Sequence, residues 1–263
     1  LQTIGDRLWL IGGTSESVAL ARAIASLGIP CTVTVATKSA EALYPQTSVL
    51  QVLVGRLDKS EIEKFLQQQH IVAILDASHP YAIEISKLAI SVAKQWQIPY
   101  LRFERPIVET QTEHSQIISL DSFETLITGD YLYQQRVLLT IGYKALFLFQ
   151  SWHNQSTLFA RILPSVASLE AAFAAGFTSE RIIAIRPPVS ADLEKALWRQ
   201  WDISLVVSKA SGNAGGEDIK RSVAIELNIP LIVINRPTVE YPRQTSDFSV
   251  ALEFCQRYVR SSL

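Results

Sequence analysis

From residue 8 to residue 234 the chain alternates short apolar, β-branched runs with segments whose apolar positions recur every three or four residues. A continuous apolar run of four to six residues is a strand buried on both faces. Strands of that kind belong to parallel sheets, which need a crossover helix between successive strands. The runs fall at 8–11, 31–36, 49–54, 71–75 and 100–103, and again at 117–120, 137–141, 158–163, 182–185, 205–207 and 231–234. Between them Asp58-Lys59-Ser60-Glu61 has the spacing of a capping box, followed by Ile62, Phe65 and Leu66 on one helical face. Ser190 reads as an N-cap before a stripe of Leu193, Ala196, Leu197 and Trp201, and Phe248, Leu252, Cys255 and Val259 predict a closing helix. The polar stretch 107–116 lacks periodicity and reads as a linker. The fold class is therefore α/β: two Rossmann-like domains, residues 1–106 and 107–263, with mainly parallel sheets facing each other across a cofactor and substrate cleft. Right-handed crossovers bring the C-terminal ends of the strands to one edge of each sheet, where ligands bind.

The halves echo each other. Ile98-Pro99, a strand and Arg105-Pro106 match Ile229-Pro230, a strand and Arg236-Pro237 at identical spacing. Duplication and shared strand-end chemistry both give this pattern. Lys plus Arg number 24 against 25 Asp plus Glu, so no broad basic face for nucleic acid or an anionic membrane is implied. Any anionic ligand must be met by local cations. The two cysteines, Cys31 and Cys255, fit buried thiols of a reducing compartment better than a disulfide framework. No apolar run approaches the length of a membrane span and no signal-peptide pattern precedes the first run, so a cytoplasmic protein is expected. With no Met in the chain, the numbering is expected to begin after a removed initiator or at a trimmed end.

The first run leads into Gly12-Gly13-Thr14-Ser15-Glu16 and a helical segment. Two glycines between strand and helix let backbone amides close on a phosphate at a helix N-terminus, and they serve equally in an ordinary tight turn. The second run ends in Ala36-Thr37-Lys38-Ser39, with a cation and hydroxyls where an NAD site usually places a carboxylate for the ribose. This favours NADP(H) over NAD(H) and counts against S-adenosylmethionine. The fourth run ends in Asp76-Ala77-Ser78-His79-Pro80-Tyr81-Ala82. Pro80 suits the first helical position, and His79 or Tyr81 at the rim suits a cofactor contact or proton transfer. In the second half Lys209-Ala210-Ser211-Gly212 with Gly215, Gly216 and Lys220 forms a small-residue turn flanked by cations. Lys144 and Arg161 also stand near strand ends. His70, His114 and His153 lack metal-ligand spacing, and no metal site is assigned.

Taken together, the Gly12–Glu16 loop, the Asp76–Ala82 segment, the Arg102-Phe103-Glu104-Arg105-Pro106 ending, Ser208-Lys209-Ala210-Ser211-Gly212 with Gly215-Gly216, and the 229–237 segment resemble the precorrin-6A reductase family, in unbroken order over about residues 8–237. The resemblance implies an NADPH-dependent reductase of cobalamin biosynthesis with two Rossmann-like domains. It would reduce a ring double bond of precorrin-6A, or of its cobalt form, to the 6B form. It implies cofactor contacts from Gly12, Gly13, Thr14, Ser15, Glu16, Thr37, Lys38, Ser39, Ser78, His79 and Pro80. The anionic tetrapyrrole would meet Lys144, Arg161, Lys209, Ser211, Gly215, Gly216 and Lys220, with His79 or Tyr81 for the proton. Ser78 stands where the family usually has Thr, Ala210 where a polar or acidic residue is common, and Tyr143 where a smaller or basic one is. The change at 210 puts in doubt any acid role there. Two other readings stay open: an NADP(H)-dependent reductase of a small carbonyl compound, although Tyr81 lacks the Lys partner of the short-chain type, and a nucleotide-sensing protein without catalysis.

Overall fold

The computed structural model describes residues 5–106, 108 and 114–259. The chain divides into two compact units, Leu1–Pro106 with Thr238–Leu263, and Ile107–Pro237. The first unit holds strands β1 (Arg7–Ile11), β2 (Cys31–Val35), β3 (Leu50–Val54), β4 (Ile71–Asp76) and β5 (Tyr100–Phe103), with helices α1 (Ser15–Ser26), α2 (Lys38–Glu41), α3 (Lys59–Gln68) and α4 (Ile83–Trp96). The second unit holds β6 (Ile117–Leu120), β7 (Arg136–Thr140), β8 (Thr157–Ile162), β9 (Ile182–Ala184), β10 (Leu205–Lys209) and β11 (Leu231–Ile234), with α5 (Phe123–Thr128), α6 (Val166–Ala174), α7 (Ala191–Gln200) and α8 (Glu217–Leu227). The chain then returns to the first unit as β12 (Gln244–Thr245) and α9 (Phe248–Tyr258).

Each unit is built on one six-stranded sheet, ordered β12-β5-β4-β1-β2-β3 in the first and β6-β11-β10-β7-β8-β9 in the second, with every pairing parallel. The two orders are the same pattern with one exchange. The strand that follows β5 in sequence edges the second sheet, and the strand that follows β11 edges the first. The repeated Ile-Pro…Arg-Pro segments flank β5 and β11, which hold equivalent places.

Alternation along each strand sorts the core. In β1, Leu8 and Leu10 join a cluster that includes Ala21 and Ile24 of α1 and Phe254 and Cys255 of α9, whereas Trp9 and Ile11 face Phe65 of α3 and Val92 of α4. Both faces are dry, as a parallel sheet demands. At the register Val207↔Leu139, β10 and β7 repeat the arrangement in the second unit.

The eleven strands expected from apolar runs are present with ends shifted by at most two residues, and the capping box at Asp58 forms as expected, Asp58 accepting from Ser60 and Glu61 while Glu61 accepts from Asp58. Four expectations are corrected. Residues 238–263 belong with the first unit, because β12 pairs with β5 and α9 packs against α1, β4 and β5. Pro80 is not the first helical residue: α4 starts at Ile83 after Ala82, and His79, Pro80 and Tyr81 form a turn ahead of it. In α7, Ser190 is the N-cap, but the face that is buried carries Glu194 and Trp198 while Leu193 is exposed. The helix can bury a carboxylate because Arg161 pairs with it and the Trp198 indole donates to it. The last correction is β12, which no apolar run announced. Residues 107 and 109–113 of the expected linker lie outside the described residues.

Candidate functional site

In the first unit the turn between β1 and α1 is held by hydroxyls, its own and that of Tyr44. Gly13 has φ +104°, a conformation that costs glycine nothing, and a Cβ at Gly12 would collide with the Tyr44 hydroxyl. That hydroxyl accepts the Gly13 N–H at 2.8 Å and shares a hydrogen bond with Ser17 Oγ at 2.6 Å. Thr14 caps α1, accepting from the Ser17 N–H, and its own hydroxyl donates 2.9 Å to the Ala77 carbonyl at the end of β4. The open donors of the turn are the amides of Ser15 and Glu16, first positions of a helix with no intrahelical acceptor. Beside them Glu16 is paired with Arg105 at 2.9 Å, which offsets the carboxylate's repulsion of an anion.

Beneath the neighbouring turn lies a buried polar network that the sequence reading missed. Asp76 and Arg102 are in register on β4 and β5, 0% and 1% exposed, and pair at 2.8 Å. Each carboxylate oxygen of Asp76 is used twice: Oδ1 accepts from Arg102 and the Ser78 amide, Oδ2 from the Ser86 and Tyr100 hydroxyls. Arg102 also reaches the Ser78 hydroxyl and carbonyl and the Glu104 carboxylate. Burial alone would lower the Arg102 pKa, but the charges of Asp76 and Glu104 reverse that and raise it. Burial, reinforced by the Asp76 charge, pushes the Tyr100 phenol well above its usual range. The available signal was an arginine inside an otherwise apolar run, at a place where the equivalent strand of the second unit has Val233.

Ser78 therefore faces inward, held by Arg102. His79 is exposed above it, with Tyr81 half-buried at a ring separation of 5.7 Å and its amide donating to His79 Nδ1. A shallow crevice between Thr14, Glu16, Ser78, Glu104 and Arg105 joins the glycine turn to this one. At the end of β2, Thr37 caps the short α2, Thr37 and Ser39 share a hydroxyl contact, and Lys38 stands 87% exposed, paired with Glu41 at 2.9 Å. Lys38 and Glu41 border a cavity of about 560 Å³ whose wall includes Tyr44, the residue that also holds Gly13.

In the second unit, the ends of β7 and β10 bring Lys144 and Lys209 together. Lys209 lies 5.6 Å from the centre of the Phe123 ring, and burial, with the Lys144 charge adding, pushes its pKa down to about 8. The following turn contains Gly212 and Gly216 at φ +73° and +65°, and Ser211 packs so closely on Gly215 that no side chain fits there. Lys220 is 1% exposed and donates to the carbonyls of Gly215 and Gly216, both at 2.8 Å. Arg161 is committed to Glu194. Of the expected anion contacts, Lys144 and Lys209 thus converge, Ser211, Gly215, Gly216 and Lys220 make one turn, and Arg161 and Lys220 point into the protein. Glu217, which accepts the Gly212 amide, and Arg236, which donates to the Ala210 carbonyl, were not anticipated. Among the described residues no group of three or more His, Cys, Asp or Glu is placed to hold a metal, and no helix is long and apolar enough to cross a membrane.

Two six-stranded parallel sheets, each wrapped by helices, place the chain among proteins made of two Rossmann-like α/β units. A solved structure of CobK precorrin-6A reductase has this fold, with a TM-score of 0.78 and 22% identity over 96% of this chain and 97% of that one. The chain belongs to the precorrin-6x reductase CbiJ/CobK family, whose model matches residues 7–256. It is 47% identical to a cobalt-precorrin-6A reductase of Synechocystis sp. over 97% of each chain, and 33% identical to that of Priestia megaterium over 96% of this chain and 99% of the relative. A precorrin-6A reductase of Rhodococcus erythropolis is 27% identical over 92% of this chain.

Proposed function

We propose that this chain catalyses the NADPH-dependent reduction of a ring double bond of precorrin-6A, or of its cobalt form, to the 6B form in cobalamin biosynthesis. The observation that carries the reading is the end-to-end relationship to the cobalt-precorrin-6A reductase of Synechocystis. Geometry supports it at both ends of the reaction. The first unit fits a dinucleotide: Gly13 leaves open space beside the Ser15 and Glu16 amides for a pyrophosphate, and Lys38 stands where a ribose 2′-phosphate would arrive. The cavity beside Lys38 suits the adenosine end. NADPH, when bound, supplies the hydride, and the overall reaction consumes one further proton.

The chain's own residues bind, orient and protonate. Lys144 and Lys209 meet carboxylates of the tetrapyrrole as point charges, and Arg161 and Lys220 support the same unit from inside. His79 or Tyr81, at the rim above the Asp76–Arg102 network, delivers the proton to the carbon next to the one that accepts hydride. The protein works as a soluble enzyme of the cytoplasm. The test is incubation with NADPH and substrate in metal-free and cobalt-loaded forms, side by side. Loss of absorbance at 340 nm with one or both forms is expected. Tight NADPH binding with no loss above background for either form would remove the reductase reading.

A further inference from the structure

The turn after β10 is held by charge to a degree that an ordinary surface loop is not. Its backbone is contacted from beneath by three charged side chains: Arg236 donates to the Ala210 carbonyl at 2.8 Å, Glu217 accepts the Gly212 amide at 2.9 Å, and Lys220 donates to the Gly215 and Gly216 carbonyls at 2.8 Å. Glu217 and Lys220 are 0% and 1% exposed. For Glu217, at the start of α8, the helix dipole favours the charge, and Arg221 pairs with it. For Lys220, one turn further on, the dipole opposes it. Burial pushes its pKa down to about 8, and the neighbouring Arg161 charge pushes the same way against the attraction of Glu194, Glu217 and Asp218. A buried ammonium in so unfavourable a place persists where its donors are used, and those donors serve the two glycine carbonyls. The turn needs such a device, because with glycines at 212, 215 and 216 the free backbone has many conformations to choose from.

We infer that Lys220 is a positioning residue: with Glu217 it pins the 210–216 turn from inside, so that Lys209 and the turn meet the tetrapyrrole's carboxylates in one geometry while Lys220 itself never touches substrate. The inference rests on the reductase reading for its substrate, but the clamp is a property of the free protein and is measurable without turnover. In Lys220→Met, amide hydrogen exchange of peptides spanning 210–217 is expected to accelerate in the substrate-free enzyme. The KM for the tetrapyrrole is expected to rise by about tenfold to a hundredfold, the scale of a misplaced contact, with kcat and the KM for NADPH unchanged. Lys209→Met should raise the same KM without changing that exchange. If Lys220→Met does not fold, Lys220→Gln, a shorter neutral donor, is measured in its place. Unchanged exchange overturns the clamp, and a raised KM with unchanged exchange shows a direct substrate contact instead. A rise in both KM values together with a lowered Tm reduces Lys220 to general stability. If wild-type enzyme oxidises no NADPH, the reductase reading fails, and the exchange comparison still decides the clamp.

Discussion

The ligand roles proposed for Lys209 and Lys38 are ones that single substitutions can separate. Burial, with Lys144 adding, holds the Lys209 pKa at about 8 against an ordinary 10.5. Between those values the unfolded chain binds more protons than the native one, so the Lys209 contribution to stability improves as pH rises through that window. Below pH 8 both states are charged and the native-state cost is present in full. Binding of a carboxylate runs the other way, because it requires the protonated form. The KM for the tetrapyrrole is therefore expected to be flat below pH 8 and to climb above it. In Lys209→Arg the climb should shrink, and any remainder reflects the turn that Lys220, which burial also holds at about 8, pins from inside. A pH-independent KM in wild type would remove Lys209 from substrate binding. On the other unit, Lys38→Ala is expected to weaken NADPH by about 1.5–3 kcal/mol, tenfold or more, while leaving NADH nearly unchanged, since only the former carries a 2′-phosphate. Equal weakening in parallel titrations would end the phosphate role.

At the scale of elements, β4 and β5 are tied together at their ends by Asp76 and Arg102. The pair is sealed from water, so removing the charge of one partner leaves the other in a medium that penalises it. Asp76→Asn is expected to lower stability by about 3 kcal/mol, read as a fall in the denaturant midpoint at constant m-value. Loss of a few tenths would mean that Glu104 alone satisfies Arg102. This network shows where the sequence stopped being informative. Apolar runs located the strands because burial on both faces leaves no polar position to confuse the period. The same runs hid Arg102, whose partner lies 26 positions away and is adjacent only through the strand register. In α7 the error has the same origin: Leu193 belongs to the expected apolar stripe, yet Glu194 is the residue buried beside it, because Arg161, on β8, supplies the counter-charge. The glycine turn was legible as a turn. That Tyr44 occupies the Gly13 amide depends on a side chain from beyond α2. Local pattern records what a residue prefers, whereas a buried charge records what it meets.

For the whole molecule the decisive event is the exchange of edge strands. β12 is two residues long and polar, Gln244 and Thr245, and it pairs with Arg102 and Phe103 in the backbone ladder, so no hydrophobic signal marks it. α9 was visible as a helix, but its amphipathic face says only that it packs, not against which sheet. The structure puts Ala251, Phe254, Cys255 and Val259 into the core with Leu8, Leu10 and Leu101, making the last segment of the chain part of the first unit. The sheet and core of the first unit are thus completed by a segment that lies beyond the whole of the second. A chain ended at Pro237 loses that part of the core, at about 1.5–3 kcal/mol for each large side chain, and opens the edge of β5. The total is comparable to the stability of a domain of this size. The truncated protein is expected to lose amide protection in β1 and β4 and to stop binding NADPH, while β7 and β10 remain protected, because the apolar clusters of the second unit draw no residue from 238–263. Hydrogen exchange resolved by peptide separates the cases. Protection retained in β1 would make the returning segment a strap on a unit that already folds, and protection lost in both sheets would mean that neither unit is stable without the other. Loss in the first sheet alone is what the strand order requires.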